Sequence, residues 1–282
     1  MKSGIINGLI YTALFIVVTV SAFKQSALLG FAFLLTCLIV LLIIKRATVF
    51  QMIGRAEYGK GSLQKALAWY KRAYKTGSAK PQTIVSYAYL HLKTGNIEEA
   101  DNILEALSRR NLIKQDRLVL SSNYALIEWK KGNLDKAIEI LEDVIKEYET
   151  SNIYGSLGYM YIQKGDIDKA YDFNLKAFDY NSSNSIIRDN LGQVLYLKGN
   201  YDRAVEIYEP LMETNPTFPD AYYNYALVLR EKGEPEKALE KAKAAKKYDL
   251  SFLSTITKDD LDSLIDSLES ETGSKGILSE GN

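Results

Sequence analysis

One stretch of the sequence has residue types and spacing that could bind a nucleotide phosphate. In GRAEYGKG, residues 54–61, two glycines enclose four residues and a lysine follows, as in the glycine-rich loops whose backbone N–H groups hold phosphates. The next residue is Gly61, where such a loop needs a Ser or Thr hydroxyl for magnesium. These loops also follow a buried strand, whereas this stretch lies in a helical pattern. We therefore interpret Gly61 as a helix stop and predict no nucleotide site.

Other residues that could catalyse a reaction or bind a metal are few. His91 is the only histidine, which excludes metal sites built on two histidines. The adjacent carboxylates Glu98 and Glu99, and the pair Asp166 and Asp168, fall at the start of predicted helices, where acids stabilise the helix dipole. The sequence thus predicts a protein that is not an enzyme and that binds neither a metal nor another cofactor.

Charge and cysteine content restrict the partners and the compartment. The 282 residues include 35 basic and 35 acidic side chains, so no net charge attracts nucleic acid, and we predict no nucleic-acid partner. The single cysteine, Cys37, lies in an apolar stretch and has no partner for a disulfide. This cysteine content fits a reducing compartment.

Two uncharged stretches at the N-terminus predict membrane helices. Residues 3–23 and 25–44 are separated by Lys24 alone, and each approaches the length of about 20 residues that crosses a bilayer as a helix. We predict a two-span hairpin over residues 1–46. An alternative is a signal peptide, because residues 20–22 resemble a cleavage site before Phe23.

Positive charge predicts the orientation of this hairpin. Four basic residues follow the second stretch, against one in the connecting turn: Lys45, Arg46, Arg55 and Lys60. Because cytoplasmic flanks carry the excess of Lys and Arg, the region after the spans should be cytoplasmic. The sequence therefore predicts a multi-pass membrane protein. No proline or glycine lies between Ile44 and Gly54, so the second span should lead directly into the next helix.

The rest of the chain repeats a glycine turn followed by an alanine. The alanines are separated by 34, 37, 33, 34 and 34 residues: Ala66, Ala100, Ala137, Ala170, Ala204 and Ala238. A glycine precedes each of them and should end a first helix in a positive-φ conformation: Gly61, Gly95, Gly132, Gly165, Gly199 and Gly233. Small residues at these places let paired helices approach closely. The pattern predicts six helix-turn-helix units.

This pattern resembles the tetratricopeptide repeat (TPR) family, whose unit is a helix-turn-helix of about 34 residues. The fifth copy matches best, with Leu191, Gly192, Leu195, Gly199, Tyr201, Ala204, Tyr208 and Pro216 at family positions. The resemblance implies an all-α solenoid of about six repeats over residues 47–250, because single units cannot bury their apolar faces alone. The expected repeats are 47–80, 81–117, 118–150, 151–184, 185–218 and 219–250.

The C-terminal residues predict a helix and then a tail. Leucine and isoleucine alternate with aspartate at helical spacing in residues 258–268, as expected of a helix that covers the last repeat. We predict this capping helix within residues 251–270. The Ser, Glu and Gly content of residues 271–282 is typical of a disordered tail.

The resemblance also implies where a ligand would bind. In this family the first helices line a concave groove that binds peptides, and asparagines face the ligand at positions that correspond to Asn123, Asn190 and Asn224. The other groove positions carry aromatic and aliphatic side chains: Tyr89, Leu126, Trp129, Tyr159, Tyr196, Tyr223 and Leu227. The alternative for some of these tyrosines is packing between neighbouring repeats.

A basic cluster lies beside the longest interval between repeats. It comprises Arg109, Arg110, Lys114 and Arg117, and the hypothesis is that it contacts anionic lipid headgroups. The alternative is an ordinary exposed loop.

The expected function is therefore a membrane-anchored adaptor. Its cytoplasmic groove would bind an apolar peptide or helix of a partner protein and recruit that partner to the membrane. The alternative is a self-associating scaffold of an envelope or division complex, a homo-oligomer in which the protein itself fills the groove.

Overall fold

The computed structural model describes residues 2–279, and the surroundings of side chains from residue 10 to residue 273. Over this range the chain forms fifteen helices, α1 to α15, and no strand, which confirms the predicted all-α class. The chain divides into an N-terminal unit, Met1–Thr83, and a C-terminal unit, Ile84–Asn282.

The N-terminal unit begins with a pair of apolar helices. It contains α1 (Lys2–Gln25), α2 (Ala27–Ile44), α3 (Arg46–Gly59) and α4 (Leu63–Lys75). Ser26 alone separates α1 from α2, and its hydroxyl accepts a hydrogen bond from the backbone N–H of Leu29 at 3.1 Å, which caps α2. The rings of Phe15 and Phe33 lie 5.9 Å apart, so the two helices pack side by side as a hairpin.

The surface of α2 is almost entirely apolar and exposed. Among its 18 residues only Gly30 is buried, whereas 79% of Leu28 and 66% of Phe31 are exposed. This helix is long and apolar enough to cross a membrane. The apolar part of α1, Ile10–Gln25, is shorter, so a second span remains a prediction.

The second apolar helix leads into the first repeat, as predicted. Lys45 alone lies between α2 and α3; its N–H donates to the carbonyl of Leu41, and its carbonyl accepts from Val49. Helices α3 and α4 form repeat one, in which Gly54 faces the ring of Tyr70. A Cβ at Gly54 would lie 2.7 Å from that ring, so the small residue permits the close contact.

Five helix pairs follow, one for each of repeats two to six. They are α5 (Pro81–Lys93) with α6 (Ile97–Ser108), α7 (Lys114–Lys130) with α8 (Leu134–Ile145), α9 (Ser151–Lys164) with α10 (Ile167–Tyr180), α11 (Ser185–Leu197) with α12 (Tyr201–Glu213), and α13 (Pro219–Glu231) with α14 (Pro235–Ala245). All six predicted turn glycines have φ between 71° and 89°, and all six marker alanines are fully buried. The repeat prediction is thereby confirmed at the level of individual residues.

The longer interval between repeats two and three is absorbed by a longer helix. The first helix of repeat three, α7, has 17 residues and begins at Lys114, four residues before the predicted boundary at 118. Lys114 and Arg117 of the basic cluster are therefore helical, while Arg109 and Arg110 precede the helix.

The C-terminal helix is longer than predicted. It is α15 (Lys258–Ser279), so residues 271–279, expected to be disordered, continue the helix; residues 280–282 lie outside the described part. Leu261, Ile265 and Leu268 are buried in the core of the C-terminal unit. Glu271 accepts a hydrogen bond from Arg230, which holds the next turn of the helix to the last repeat. Composition alone does not reveal such a tertiary contact.

A series of ion pairs joins consecutive repeats on the exposed side of the turns. In repeats three to six, a lysine at the turn pairs with an aspartate about 30 residues earlier, in the second helix of the preceding repeat: Lys131–Asp101, Lys164–Asp135, Lys198–Asp168 and Lys232–Asp202. Exposed pairs of this kind contribute about 1 kcal/mol or less each. They neutralise a ridge that would otherwise be basic.

Buried polar groups join repeats five and six from inside. The hydroxyl of Tyr208 donates to a carboxylate oxygen of Asp189 at 3.0 Å, and the amide of Asn224 donates to the same oxygen at 3.1 Å. Burial raises the pKa of Asp189 to about 7; the neighbouring Asp220 carboxylate adds to the rise, and the two hydrogen bonds oppose it. This carboxyl is thus a pH-dependent link between α11, α12 and α13.

Enlarging Gly192 should destabilise repeat five. A Cβ on Gly192 would lie 2.4 Å from the ring of Tyr208, which is fully buried and held by Asp189. We expect Gly192→Ala to lower the free energy of unfolding by about 1–3 kcal/mol, measured by thermal or urea denaturation of the protein in mild detergent. Gly59→Ala is the matched control, because no described atom lies within 4 Å of a Cβ there. Equal stability of the two variants would contradict the close-contact explanation.

Asp189 should make stability fall as pH rises through the weakly acidic range. The folded pKa lies above the unfolded one, so between about pH 4 and pH 7 the folded protein keeps a proton that the unfolded chain loses. Each unit of difference corresponds to about 1.4 kcal/mol. Asp189→Asn should flatten this dependence in denaturation curves taken across the window. Asp135→Asn, on the exposed ridge, is the control and should show the same dependence of stability on pH as the wild type. If Asp189→Asn also showed the wild-type dependence, the assignment of this effect to Asp189 would be refuted.

Candidate functional site

The candidate site lies on the first helices of the C-terminal unit. Neighbouring first helices pack directly on one another, as α9 on α11 and α11 on α13. Of the ten residues predicted to line a groove on these helices, eight keep part of their surface exposed: Tyr89, Asn123, Leu126, Trp129, Tyr159, Tyr196, Tyr223 and Leu227. The structure therefore leaves an aromatic and aliphatic face available on these helices.

The structure does not present the other two predicted residues, Asn190 and Asn224, to a ligand. They are 2% and 4% exposed. The amide of Asn190 donates to the carbonyl of Gly155 at 2.8 Å, and that of Asn224 donates to Asp189. Each bond spans 35 residues, which is one repeat, so these asparagines connect adjacent first helices. Asn123 donates within its own helix, to the carbonyl of Val119 at 3.0 Å.

Two of the predicted aromatics form the wall of a cavity. The rings of Trp129 and Tyr159 lie 5.6 Å apart in an edge-to-face arrangement, and the indole N–H of Trp129 donates to Gln163. The ammonium nitrogen of Lys130 lies 4.2 Å from the centre of the Trp129 ring. We call this the aromatic cavity; its volume is about 270 Å³, and on the helix side it is lined by Trp129, Lys130, Gly132, Tyr159 and Gln163.

The aromatic cavity is lined on its other side by a segment that the sequence analysis missed. Residues 251–256, which we call the plug, lie within the non-helical connection between α14 and α15, and Phe252, Ser254 and Thr255 face the cavity. The backbone N–H of Phe252 donates to the carbonyl of Lys93, at the end of α5, at 3.1 Å. The backbone N–H and the hydroxyl of Thr255 both donate to Asp220 at the start of α13, at 2.5 and 2.6 Å.

Burial sets the protonation of the groups around the plug. It raises the pKa of Tyr159 to about 12, and the nearby carboxylates of Asp220 and Asp189 add to this rise. Hydrogen bonds with Thr255, in the plug, and with Gln163 oppose this rise. The Tyr159 hydroxyl is neutral because its pKa stays raised in spite of these hydrogen bonds. Burial lowers the pKa of Lys130, while Asp220 raises it. The arrangement offers a cation, a neutral hydroxyl and a carboxylate, which suits binding of a peptide.

The remaining predicted groove residues lie on first helices that precede or follow the residues of the aromatic cavity in the sequence. Burial raises the pKa of Tyr223, and the carboxylate of Asp260 adds to the rise. Asp260 lies in the first turn of α15, so this turn is close to the tyrosine. The ring of Tyr196 lies 5.8 Å from that of Tyr201, on the second helix of the same repeat, so this contact does not test the alternative of packing between neighbouring repeats. Tyr89 and Leu126 lie on α5 and α7, in repeats two and three.

The basic cluster is partly neutralised. Arg109 forms an ion pair with Glu105 at 2.6 Å, and Lys114 pairs with Glu147. Arg117 donates to the carbonyl of Leu112 at 2.6 Å, while Arg110 is exposed. Contact with lipid headgroups stays a prediction for these four residues. Among the residues whose side chains are described, no three His, Cys, Asp or Glu side chains come together to form a metal site.

Comparison with known proteins agrees with the geometry. The tetratricopeptide repeat profile matches residues 88–152 and 190–250, and a second profile of the same description matches residues 151–184, together more than half of the chain. A TPR repeat-containing protein of Methanocaldococcus jannaschii is 23% identical over 216 residues, covering 69% of this chain. The chain spans only 37% of that relative's length.

Solved structures show the same fold. A thermophilic TPR protein of Thermus thermophilus superposes with a TM-score of 0.55 and 24% identity, covering 65% of this chain and 98% of that one. PilF of Pseudomonas aeruginosa superposes with a TM-score of 0.50 and 14% identity, covering 71% and 90%. At these identities the likeness concerns the fold alone. The helix pairs, their turn glycines and the matching profiles together show that the chain belongs to the tetratricopeptide repeat family, whose members mediate protein–protein interaction.

Proposed function

We propose that the protein is a membrane-tethered adaptor that binds a peptide segment of a partner protein at the aromatic cavity. The observation that carries this proposal is the cavity itself, in which Trp129 and Tyr159 offer ring surface while Lys130 and Gln163 offer polar contacts. Rigid aromatic side chains give a large contact area at a small cost in conformational entropy, and they dominate many interfaces. With a volume of about 270 Å³, the cavity suits a side chain of a bound peptide, and its walls come from repeats three and four and from the plug.

The membrane part of the proposal rests on α2. Its uncharged, exposed surface is larger than a protein tolerates in water without a covering partner. A bilayer would cover it, and the basic residues that follow it favour a cytoplasmic location for the repeats. The tether would hold the cavity near the membrane and so raise the local concentration of a captured partner.

Self-association is the competing proposal. It predicts that the protein itself fills the groove, and the plug does cover one side of the aromatic cavity. Because the plug belongs to the same chain and α15 is packed on its own last repeat, this filling requires no second copy. The observation therefore favours an adaptor whose cavity is already covered from within.

Site-specific crosslinking in living cells tests the adaptor. A photo-crosslinking amino acid at Leu126, on the first-helix face, should capture a foreign protein that the same amino acid at Glu139, exposed on α8, does not capture. Trp129→Ala should reduce this capture severalfold because it removes the largest ring of the cavity. Trp69→Ala, the other tryptophan, on α4, is the matched control and should leave capture unchanged. Self-crosslinks alone, or one species from both faces, would instead support the scaffold.

Membrane attachment should depend on the apolar surface of α2. Leu35→Arg with Leu38→Arg places two charges near the middle of this helix, each costing about 2.5–3.5 kcal/mol on insertion. We expect the doubly substituted protein to move from the carbonate-resistant membrane fraction to the soluble or aggregated fraction. Leu35→Phe with Leu38→Phe keeps the surface apolar and should remain in the membrane. A wild-type protein that carbonate extracts completely would refute the tether.

A further inference from the structure

The plug is bound to the first helices as a separate peptide would be. Its contacts come from α5, α7, α9 and α13, and several use its backbone: one N–H donates to Lys93, and another donates to Asp220. The ring of Phe252 lies over Gly95, where a Cβ would approach it to 3.5 Å, and 4.8 Å from the ammonium of Lys130. Residues 251–254 form a turn, in which the N–H of Ser254 donates to the carbonyl of Ser251 at 2.9 Å, so the first helices hold the plug as a bound turn, through backbone and side-chain groups.

The plug contributes little to the core. Phe252 remains 40% exposed, and within residues 251–256 only Ile256 is buried. Removal of residues 252–255 should therefore expose little apolar core, and its main cost is the loss of the two hydrogen bonds that Thr255 donates to Asp220. The helix α15 can stay in place during this exchange, since its own leucines hold it to the last repeat.

Asp220 defines what a replacement must supply. Its side chain belongs to a residue only 6% exposed, and one of its oxygens accepts both the N–H and the hydroxyl of Thr255. A buried carboxylate that loses its donors is costly, so an incoming segment must offer an N–H and a hydroxyl at this point. The ammonium of Lys130 lies near two rings, those of Trp129 at 4.2 Å and Phe252 at 4.8 Å, so an incoming segment with an aromatic residue in place of Phe252 would keep the second contact.

We propose that the plug is a resident, autoinhibitory cover of the aromatic cavity, and that the partner displaces it with a segment that forms a similar turn, in which an aromatic residue precedes a serine or threonine by three positions. This inference rests on the proposed function and specifies the partner that the cavity fits. It also gives the adaptor a closed state, because the apparent affinity for the partner is reduced by the fraction of molecules in which the plug is seated.

Competition with a peptide copy of the plug tests the inference. The probe is a fluorescent peptide with the sequence of residues 249–258, and its binding to the full chain in mild detergent is followed by anisotropy. Phe252→Ala with Thr255→Ala weakens the resident plug, so this double variant should bind the probe at least tenfold more tightly than the wild type. Asp249→Ala, at an exposed position next to the plug, is the matched control and should bind as the wild type does.

The residue pattern is tested on the same double variant. Probes that carry alanine in place of the phenylalanine or of the threonine should bind at least tenfold more weakly than the full probe. Asp220→Asn, added to the double variant, should weaken binding of the full probe to a similar degree. Equal affinity of wild type and double variant, no binding to either, or indifference to both alanine probes would overturn the inference.

Crosslinking separates this inference from the adaptor function. With the photo-crosslinking amino acid at Leu126, the double variant should capture more of the foreign protein than the wild type does. Unchanged capture would overturn the closed state while leaving the adaptor standing. If the probe binds the double variant more tightly, as expected, but neither the wild type nor the double variant captures a foreign protein, the result would support the resident plug and count against the adaptor.

Discussion

Close contact between the two helices of each repeat is the constraint on which the rest of this structure depends. At Gly54 and Gly192 a Cβ would collide with a tyrosine ring of the partner helix, and the marker alanines are wholly buried. This contact fixes each helix pair as a unit, and the units then stack because none buries its apolar face alone. Stacking makes the first helices neighbours, and only that arrangement brings Trp129 of one repeat against Tyr159 of the next.

Polar side chains then select the register between repeats. Asn190 and Asn224 each reach the preceding first helix, while Lys–Asp pairs join the same repeats on the outside. The outer pairs are solvated and weak, whereas the inner bonds are buried and expensive to leave unmade. The Asp189 carboxyl is the clearest example of such a buried group. It accepts hydrogen bonds from Tyr208 and Asn224, and burial raises its pKa into the neutral range.

The plug covers the aromatic and polar groups of the candidate site. A cavity with exposed rings, a lysine and a buried carboxylate would be a costly surface in water, and residues 252–255 supply the missing ring and donors. Stability thus favours covering these groups, whereas binding of a partner requires that they be uncovered. An intramolecular turn that is half-exposed and followed by a firmly packed helix meets both demands, since it can leave without unfolding the repeats.

The sequence by itself determined the helix pairs, their turn glycines and the close-packed alanines, because these depend on contacts within about 34 residues and on local backbone conformation. It also placed Trp129 and Tyr159 on neighbouring first helices, where their rings are in contact. The tertiary structure alone decided that Asn190 and Asn224 are buried between repeats and that α15 continues into the predicted tail as far as Ser279. It alone brought Phe252 to Lys93 and Thr255 to Asp220, since such long-range contacts follow from the stacking of whole repeats and leave no periodic signal in the chain.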